Sequence, residues 1–346
     1  MVGVNRLKQI LPKAVILGLV LTLAGCGSSL PRGISEDGTV TITNVSYDPT
    51  RELYEQYNAW FKEQYEKDTG TRVNVIQSHG GSGGQARSVV EGADADVVTL
   101  ALEHDVSMVE HGGLIDEGWI DEFSLSSSPY TSTIVFLVRE GNPRDIRDWK
   151  DLINEDVDII NPDPKSSGGA CWNFLAAWGY ADELYDGDIE SVIEFMTKLY
   201  ANVTVMDSGA RGATTTFVEN GQGDVLIAWE NEAIATVREY PGKYEIISPS
   251  LSILAQPSVA VVDANARRDG VEEQAADYLS YLYKDEAQRI IGVNGYRPSN
   301  KDILSEYADT FDLSMKLITI EDFGGWDAAY ETYFEDGALF DEIYGD

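Results

Sequence analysis

The sequence predicts an α/β fold in two lobes with a ligand cleft between them. Three observations carry that expectation. Short apolar, β-rich runs alternate with amphipathic helical segments in two separate stretches of the chain, as in sheets with parallel strands and helical crossovers. Irregular Pro-bearing segments between and after these stretches suit chain crossings from one lobe to the other. Three Gly/Ser-rich segments, at 78–84, 166–169 and 208–212, each stand just ahead of helical character, where an α/β sheet places its ligand-binding loops.

The elements follow in order. Residues 40–46 read as a strand, and 50–67 place Leu53, Tyr54, Tyr57, Trp60, Phe61 and Tyr65 on one helical face. That spacing predicts a core face rather than a ligand box. Residues 72–78 give a second strand, 85–91 a helix and 96–102 a third strand, which makes a βαβαβ run with parallel pairing. After an irregular stretch with Ser126, Ser127, Ser128 and Pro129, residues 131–139 form an apolar strand. The second α/β unit runs through strand 158–160, a loop with Pro162 and Pro164, a long helix over 170–184, strand 203–206, helix 214–219, strand 224–229 and a helix through Val237. Residues 244–247 and 258–263 read as strands around Pro249 and Pro257, a return crossing, and 272–291 as one helix. No internal repeat is evident.

Each Gly/Ser-rich segment suits an anion cradle. A helix start leaves several backbone N–H groups unpaired and carries partial positive charge, Gly lets a ligand approach the backbone, and Ser adds a hydroxyl donor. Such clusters also serve as ordinary N-caps and turns. Three together could surround one small anion.

The amino terminus reads as an export signal over residues 1–25. Arg6, Lys8 and Lys13 precede an apolar run over 14–23 that is too short to span a bilayer comfortably. The run closes on Leu23-Ala24-Gly25-Cys26, a lipobox whose Cys26 is the expected lipid attachment site, followed by a polar tether over 26–38. Lipidation of Cys26 would leave Cys171 as the sole thiol, with no intrachain disulfide to form. The body is read as lobe 1 over 39–128, lobe 2 over 129–250, and a return to lobe 1 with C-terminal helices over 251–346.

With 59 Asp+Glu against 25 Lys+Arg, the chain carries a net charge of −34. Such a surface excludes nucleic acid as a partner and repels anions at low ionic strength. At ~1 M salt the Debye length falls to about 3 Å, so the composition suits a halophilic or salt-tolerant source.

Rival chemistries find weak support. Residues 81–86 match GxGxxA, but at the second βα turn rather than the first, and no GxxxxGK[ST] occurs. His79, His104 and His111 lack metal-ligand spacing, and no cofactor is expected. No GxSxG elbow is present; Ser82, three residues from His79, is the nearest arrangement to a nucleophile and base.

Several long blocks are more specific than any of these loops. They are NVSYDPTRE from Asn44, QSHGGSG from Gln77, ADVVTLA from Ala95, PYTSTIVFLV from Pro129, SSGGA from Ser166, DSGARG from Asp207, GDVLIAWENE from Gly223 and FGGW from Phe323. In this order they closely resemble the sulfate-binding proteins that serve ABC-type sulfate/thiosulfate importers, from about residue 39 to the end. The resemblance implies a type II periplasmic binding-protein fold closing on one dehydrated sulfate, with no catalysis, acting as a monomer with an ABC permease in the membrane. Carried over residue by residue, it implies donation by the N–H of Ser82, the Ser167 hydroxyl, the N–H groups of Gly168, Gly169 and Ala210, and the Trp229 indole. Asp48 and Arg211 would support the cradle, Asp48 through hydrogen bonds to loop backbone and Arg211 from behind its loop. Cys171 stands where the family carries Arg. Alternative ligands are thiosulfate and a larger oxyanion such as molybdate; an exported phosphatase or sulfatase and a structural surface lipoprotein are the rivals from other classes.

Overall fold

The computed structural model describes residues 31–345. The expected signal segment, Cys26 and the start of the tether lie outside these residues.

Two sheets carry the architecture. The first has strands in the order Ser258–Val261, Val97–Leu100, Val40–Tyr47, Val73–Gly80. The strand at 40–47 pairs in parallel with both 73–80 and 97–100, and 258–261 returns antiparallel on 97–100. The second sheet has the order Val203–Asp207, Ile159–Pro162, Val225–Trp229, Ile134–Arg139, Tyr244–Ile247. Its first three strands run parallel, and 134–139 is antiparallel to both of its neighbours. The strands Val97–Leu100 and Val225–Trp229 are buried along their whole length, which is why they read as continuous apolar runs rather than alternating ones.

The helix Arg51–Thr69 buries Leu53, Tyr54, Tyr57, Phe61 and Tyr65 as its period requires, against Tyr278 and Tyr281. It stops at Gly70, whose φ of 77° places it in the left-handed conformation that ends helices. The helices that follow strand ends begin earlier than their apolar periodicity suggests. Ser82–Val90, Gly168–Leu184 and Ala210–Val218 each take Gly/Ser-rich residues into the first turn instead of starting after them.

Among the helices that escape the sequence reading are Glu103–His111, Asp263–Asp269 and Ile189–Ala201. Ile189–Ala201 carries a plain signal, with Val192, Phe195, Met196 and Leu199 buried at helical spacing. The single helix expected over 272–291 is broken into Glu272–Ser280, a 3₁₀ turn at Tyr281–Tyr283 and Asp285–Val293. Lys284 is extended at the break, its ammonium 3.0 Å from Asp68, and the Tyr281 hydroxyl donates to the same carboxylate. These tertiary contacts fix a turn that local propensity would have continued as helix.

Beyond residue 250 the chain serves both sheets. Ser258–Val261 joins the first, whereas Trp326–Tyr333 and Leu339–Tyr344 pack on Gly168–Leu184 and Ile189–Ala201 beside the second. Phe174 meets Tyr333, Phe334 and Phe340 there, and Trp172 meets the edge of Trp326.

Candidate functional site

The carboxyl ends of parallel strands from both sheets face one small cavity of about 10 Å³. That is room for the centre of roughly one water-sized molecule. Tyr47, Asp48, Pro49, Gly80, Gly81 and Ser82 line it from the first sheet's side, and Ser167, Gly169 and Ala210 from the second's. All three Gly/Ser-rich segments therefore meet at one place.

Each contributes a helix start without a side-chain cap: Gly81, Ser167 and Gly209 occupy the N-cap positions, and none makes a side-chain cap hydrogen bond. The N–H groups of Ser82, Gly168, Gly169 and Ala210 precede the first bonds of their helices, which are made by Gln85, Ala170 and Ala213. Four backbone donors at positively polarised helix ends thus have no acceptor among the described residues. By contrast, the helix Lys301–Ser305, remote from the cavity, is capped by the side chain of Asn300.

Two glycines allow the segments to come this close. A Cβ on Gly168 would lie 2.9 Å from Leu102 Cγ, 3.1 Å from Asp105 Oδ2 and 3.1 Å from Ser82 Cβ, all on the opposite side. A Cβ on Gly81 would lie 2.8 Å from the Ser166 carbonyl. Neither position has a positive φ, so close approach rather than backbone conformation demands glycine.

The two serines differ. The Ser82 hydroxyl donates to Asp105 Oδ2 at 2.5 Å and accepts the Ala101 N–H at 2.9 Å, which leaves its backbone N–H as the group available to the cavity. Asp105 is fully buried, and desolvation pushes its carboxyl up to about 6, against the Ser82 hydrogen bond and the Arg87 charge. Ser167, by contrast, holds its hydroxyl free of any partner among the described residues.

The remaining expected residues surround this cradle. The Trp229 indole N–H donates to the Gly169 carbonyl at 3.1 Å, so a cavity-bound anion would have to share or displace that bond. The Asp48 carboxylate makes no hydrogen bond to loop backbone among the described residues. One of its oxygens is 3.4 Å from where a Cβ on Gly209 would stand, the other 4.0 Å from Arg51. Arg211 does more than back its own loop. It pairs with Glu52 on the helix Arg51–Thr69 and lies 3.9 Å from buried Glu232.

Cys171 is buried with its thiol donating to the Pro164 carbonyl at 3.3 Å, and burial pushes that thiol up, away from thiolate chemistry. His79 is held neutral, its imidazole pushed down to about 4 by burial and by Arg51. The hydroxyl of Ser82 is engaged by Asp105 rather than by His79, so the Ser82–His79 pair weighed from sequence is not formed among the described residues. Among the described residues no cluster of His, Cys, Asp and Glu could hold a metal ion, and no helix is long and apolar enough to cross a membrane.

Sequence reasoning missed Asp105 and Trp172. Trp172 Nε1 donates to the Ala101 carbonyl at 3.0 Å, a buried bond between the two sides of the cavity. Asp105 lies outside every Gly/Ser segment, and only the tertiary contact with Ser82 marks it.

The model of the bacterial extracellular solute-binding proteins matches residues 44–297. The sulfate-binding protein of Escherichia coli K12 is 53% identical over 306 residues, 88% of this chain and 93% of that protein. This chain belongs to the sulfate-binding family of extracellular solute-binding proteins. A thiosulfate-binding protein of Pseudomonas aeruginosa is 42% identical over 305 residues, 88% of this chain and 92% of that one. Among solved structures, the sulfate-binding protein SubI from Mycobacterium tuberculosis superposes with a TM-score of 0.77 at 31% identity, covering 85% of this chain and 99% of that one. A structure of AfuA from Actinobacillus pleuropneumoniae, at a TM-score of 0.62 and 16% identity, shares the fold. The sulfate- and thiosulfate-binding relatives are named as binding proteins, and the two-lobed α/β solute-binding fold expected from sequence is the one found.

Proposed function

We propose that this protein captures sulfate, with thiosulfate as a second ligand, and delivers it to an ABC-type importer by a non-covalent cycle of capture, lobe closure and release. The observation that carries the reading is the convergence of three uncapped helix starts from two sheets on one small cavity. The N–H groups of Ser82, Gly168, Gly169 and Ala210, the Ser167 hydroxyl and the Trp229 indole act as donors. Asp48 and Arg211 support them, and no group on the protein reacts. Neutral backbone dipoles held in place by two folded lobes stabilise a dianion in a site that excludes water, and the Trp229 indole joins them by sharing or leaving its bond to the Gly169 carbonyl. The names of the sulfate- and thiosulfate-binding relatives support the ligand class.

Selectivity follows from hydrogen-bond counting. Phosphate near neutral pH keeps a proton that needs an acceptor, and once closure turns the Asp48 carboxylate to loop backbone, burying that proton unpaired costs about 1–3 kcal/mol. A net charge of −34 opposes anion approach at long range, so recognition is short-ranged and strengthens relative to repulsion as salt rises. We place the protein outside the cytoplasmic membrane as a monomer, tethered through a lipid on Cys26 after removal of the signal.

The test is a titration of the chain without residues 1–26, at high constant chloride, following tryptophan fluorescence with sulfate, thiosulfate, molybdate and phosphate. A saturable response to sulfate and none to phosphate is expected, with no release of product from a chromogenic phosphate or sulfate ester. A folded protein silent to sulfate would overturn the reading.

A further inference from the structure

Lys165 stands two residues before Ser167, and its side chain points away from the cavity into the C-terminal segment. Its ammonium donates to the carbonyls of Phe334 and Glu335, each at 2.9 Å, and to Asp341 Oδ2 at 2.9 Å. These contacts engage all three of its N–H donors. The two carbonyls lie where the helix Trp326–Tyr333 ends, so the ammonium also complements the negative end of that helix dipole. Asp341 accepts the Gly337 N–H at 2.6 Å as well, and the Lys165 hydrogen bond holds its carboxyl below the usual range.

On the loop side the coupling is tight. Asp163 accepts the N–H of Lys165 through its side chain at 2.9 Å, and its carbonyl accepts the N–H groups of Ser166 at 3.1 Å and Ser167 at 2.9 Å. A shift of Lys165 therefore moves the backbone that presents Ser167, Gly168 and Gly169.

The same C-terminal helix reaches the other side of the cavity. Tyr330 stacks on His104 with ring centroids 3.7 Å apart. Trp326 packs edge-on against Trp172 at 4.7 Å, and Trp172 donates to the Ala101 carbonyl. Ala101 and His104 flank the start of the helix that carries Asp105, the partner of Ser82. The Phe323-Gly324-Gly325-Trp326 motif thus leads into a segment that touches both halves of the site.

We propose that Lys165 is a positioning residue for the anion cradle, and that residues 326–344 act as a strap through which it holds the 166–169 loop in register with the opposite lobe. It acts through the loop backbone without touching the ligand. The inference rests on reading the cavity as the anion site.

The experiment compares the chain without residues 1–26 with its Lys165→Met, Lys165→Arg and Asp341→Asn variants. The readouts are sulfate affinity, thermal midpoint and amide hydrogen exchange over 166–169 in the absence of anion. Lys165→Met is expected to weaken sulfate binding about tenfold, as for a lost hydrogen-bonded charge, and to speed exchange over 166–169 while the helix Arg51–Thr69 keeps its protection. Lys165→Arg restores most of both, because a guanidinium can reach the same carbonyls. Asp341→Asn gives a smaller change in the same direction and serves even if Lys165→Met folds poorly. Unchanged exchange over 166–169 in Asp341→Asn and in folded Lys165→Met would overturn the strap. Faster exchange in a protein that ignores sulfate would keep the strap and overturn the ligand instead.

Discussion

The two halves of the cavity use similar sequence for different work. On the first sheet's side one helix start faces the ligand space, and the hydroxyl of its serine is locked between a buried carboxylate and a backbone N–H. On the second sheet's side two helix starts face it, the Ser167 hydroxyl has no partner among the described residues, and an indole N–H stands close by. Ser82 is thus a structural serine with a useful backbone, whereas Ser167 offers its side chain. In the function proposed above, recognition is concentrated on the second side, and the first serves mainly as the wall opposite it. A Ser/Gly motif ahead of a helix does not reveal which of these roles its serine plays.

The contrast is most sharply tested at the glycines. Gly168→Ala would place a methyl against Leu102, Asp105 and Ser82, so the two sides could not approach. Overpacking of about 3 kcal/mol corresponds to roughly a hundredfold loss of sulfate affinity. Gly83→Ala on the first side meets only Asp105 and Arg87 atoms at 3.4 and 3.5 Å. It should stay within about threefold of wild type, because ordinary contact distances ask for no rearrangement and Ala favours the helix. Equal losses measured by calorimetry would remove the distinction between a tight face and a tolerant one.

The serines come next in size. Ser167→Ala should weaken binding about tenfold, as for a lost hydrogen bond to a charged group, and leave the thermal midpoint of the unliganded protein in place. Ser82→Ala should do the reverse. It leaves Asp105 and the Ala101 N–H unpaired in a buried site, at about 1–3 kcal/mol of stability, while the Ser82 backbone donor survives. If Ser82→Ala costs affinity and spares stability, the assignment of roles is inverted.

The smallest effect concerns pH. Asp105 has a folded-state value of about 6 against an ordinary 3.8, so between these values the folded protein holds a proton that the unfolded chain releases. Its contribution to stability is therefore full below about pH 4 and is lost as pH rises through about 6. Asp105→Asn removes that dependence and can still accept from Ser82. The variant should melt close to wild type at about pH 4 and a few degrees higher at pH 8. Melting curves of the two proteins that run parallel across this range would show that Asp105 is not the titrating group.

Sequence alone determined a great deal here. Apolar runs and helical periodicity place the strands and the aromatic face of the helix Arg51–Thr69, because burial imposes its period locally. The three Gly/Ser segments could be picked out as helix starts, and long motif blocks pointed to the family. Where local signals were weak or overridden, the reading failed: the helix expected over 272–291 breaks at Lys284 under contacts with Asp68, and the pairing of Ser82 with Asp105 carries no local mark. Only the tertiary structure decided that the three helix starts meet, that Trp229 is engaged by Gly169, that Arg211 reaches Glu52, and that the C-terminal segment grips Lys165. Secondary structure follows from neighbours a few residues apart, whereas an anion cradle needs donors brought together from residues 82 to 229 of the chain, and long-range packing alone sets that geometry.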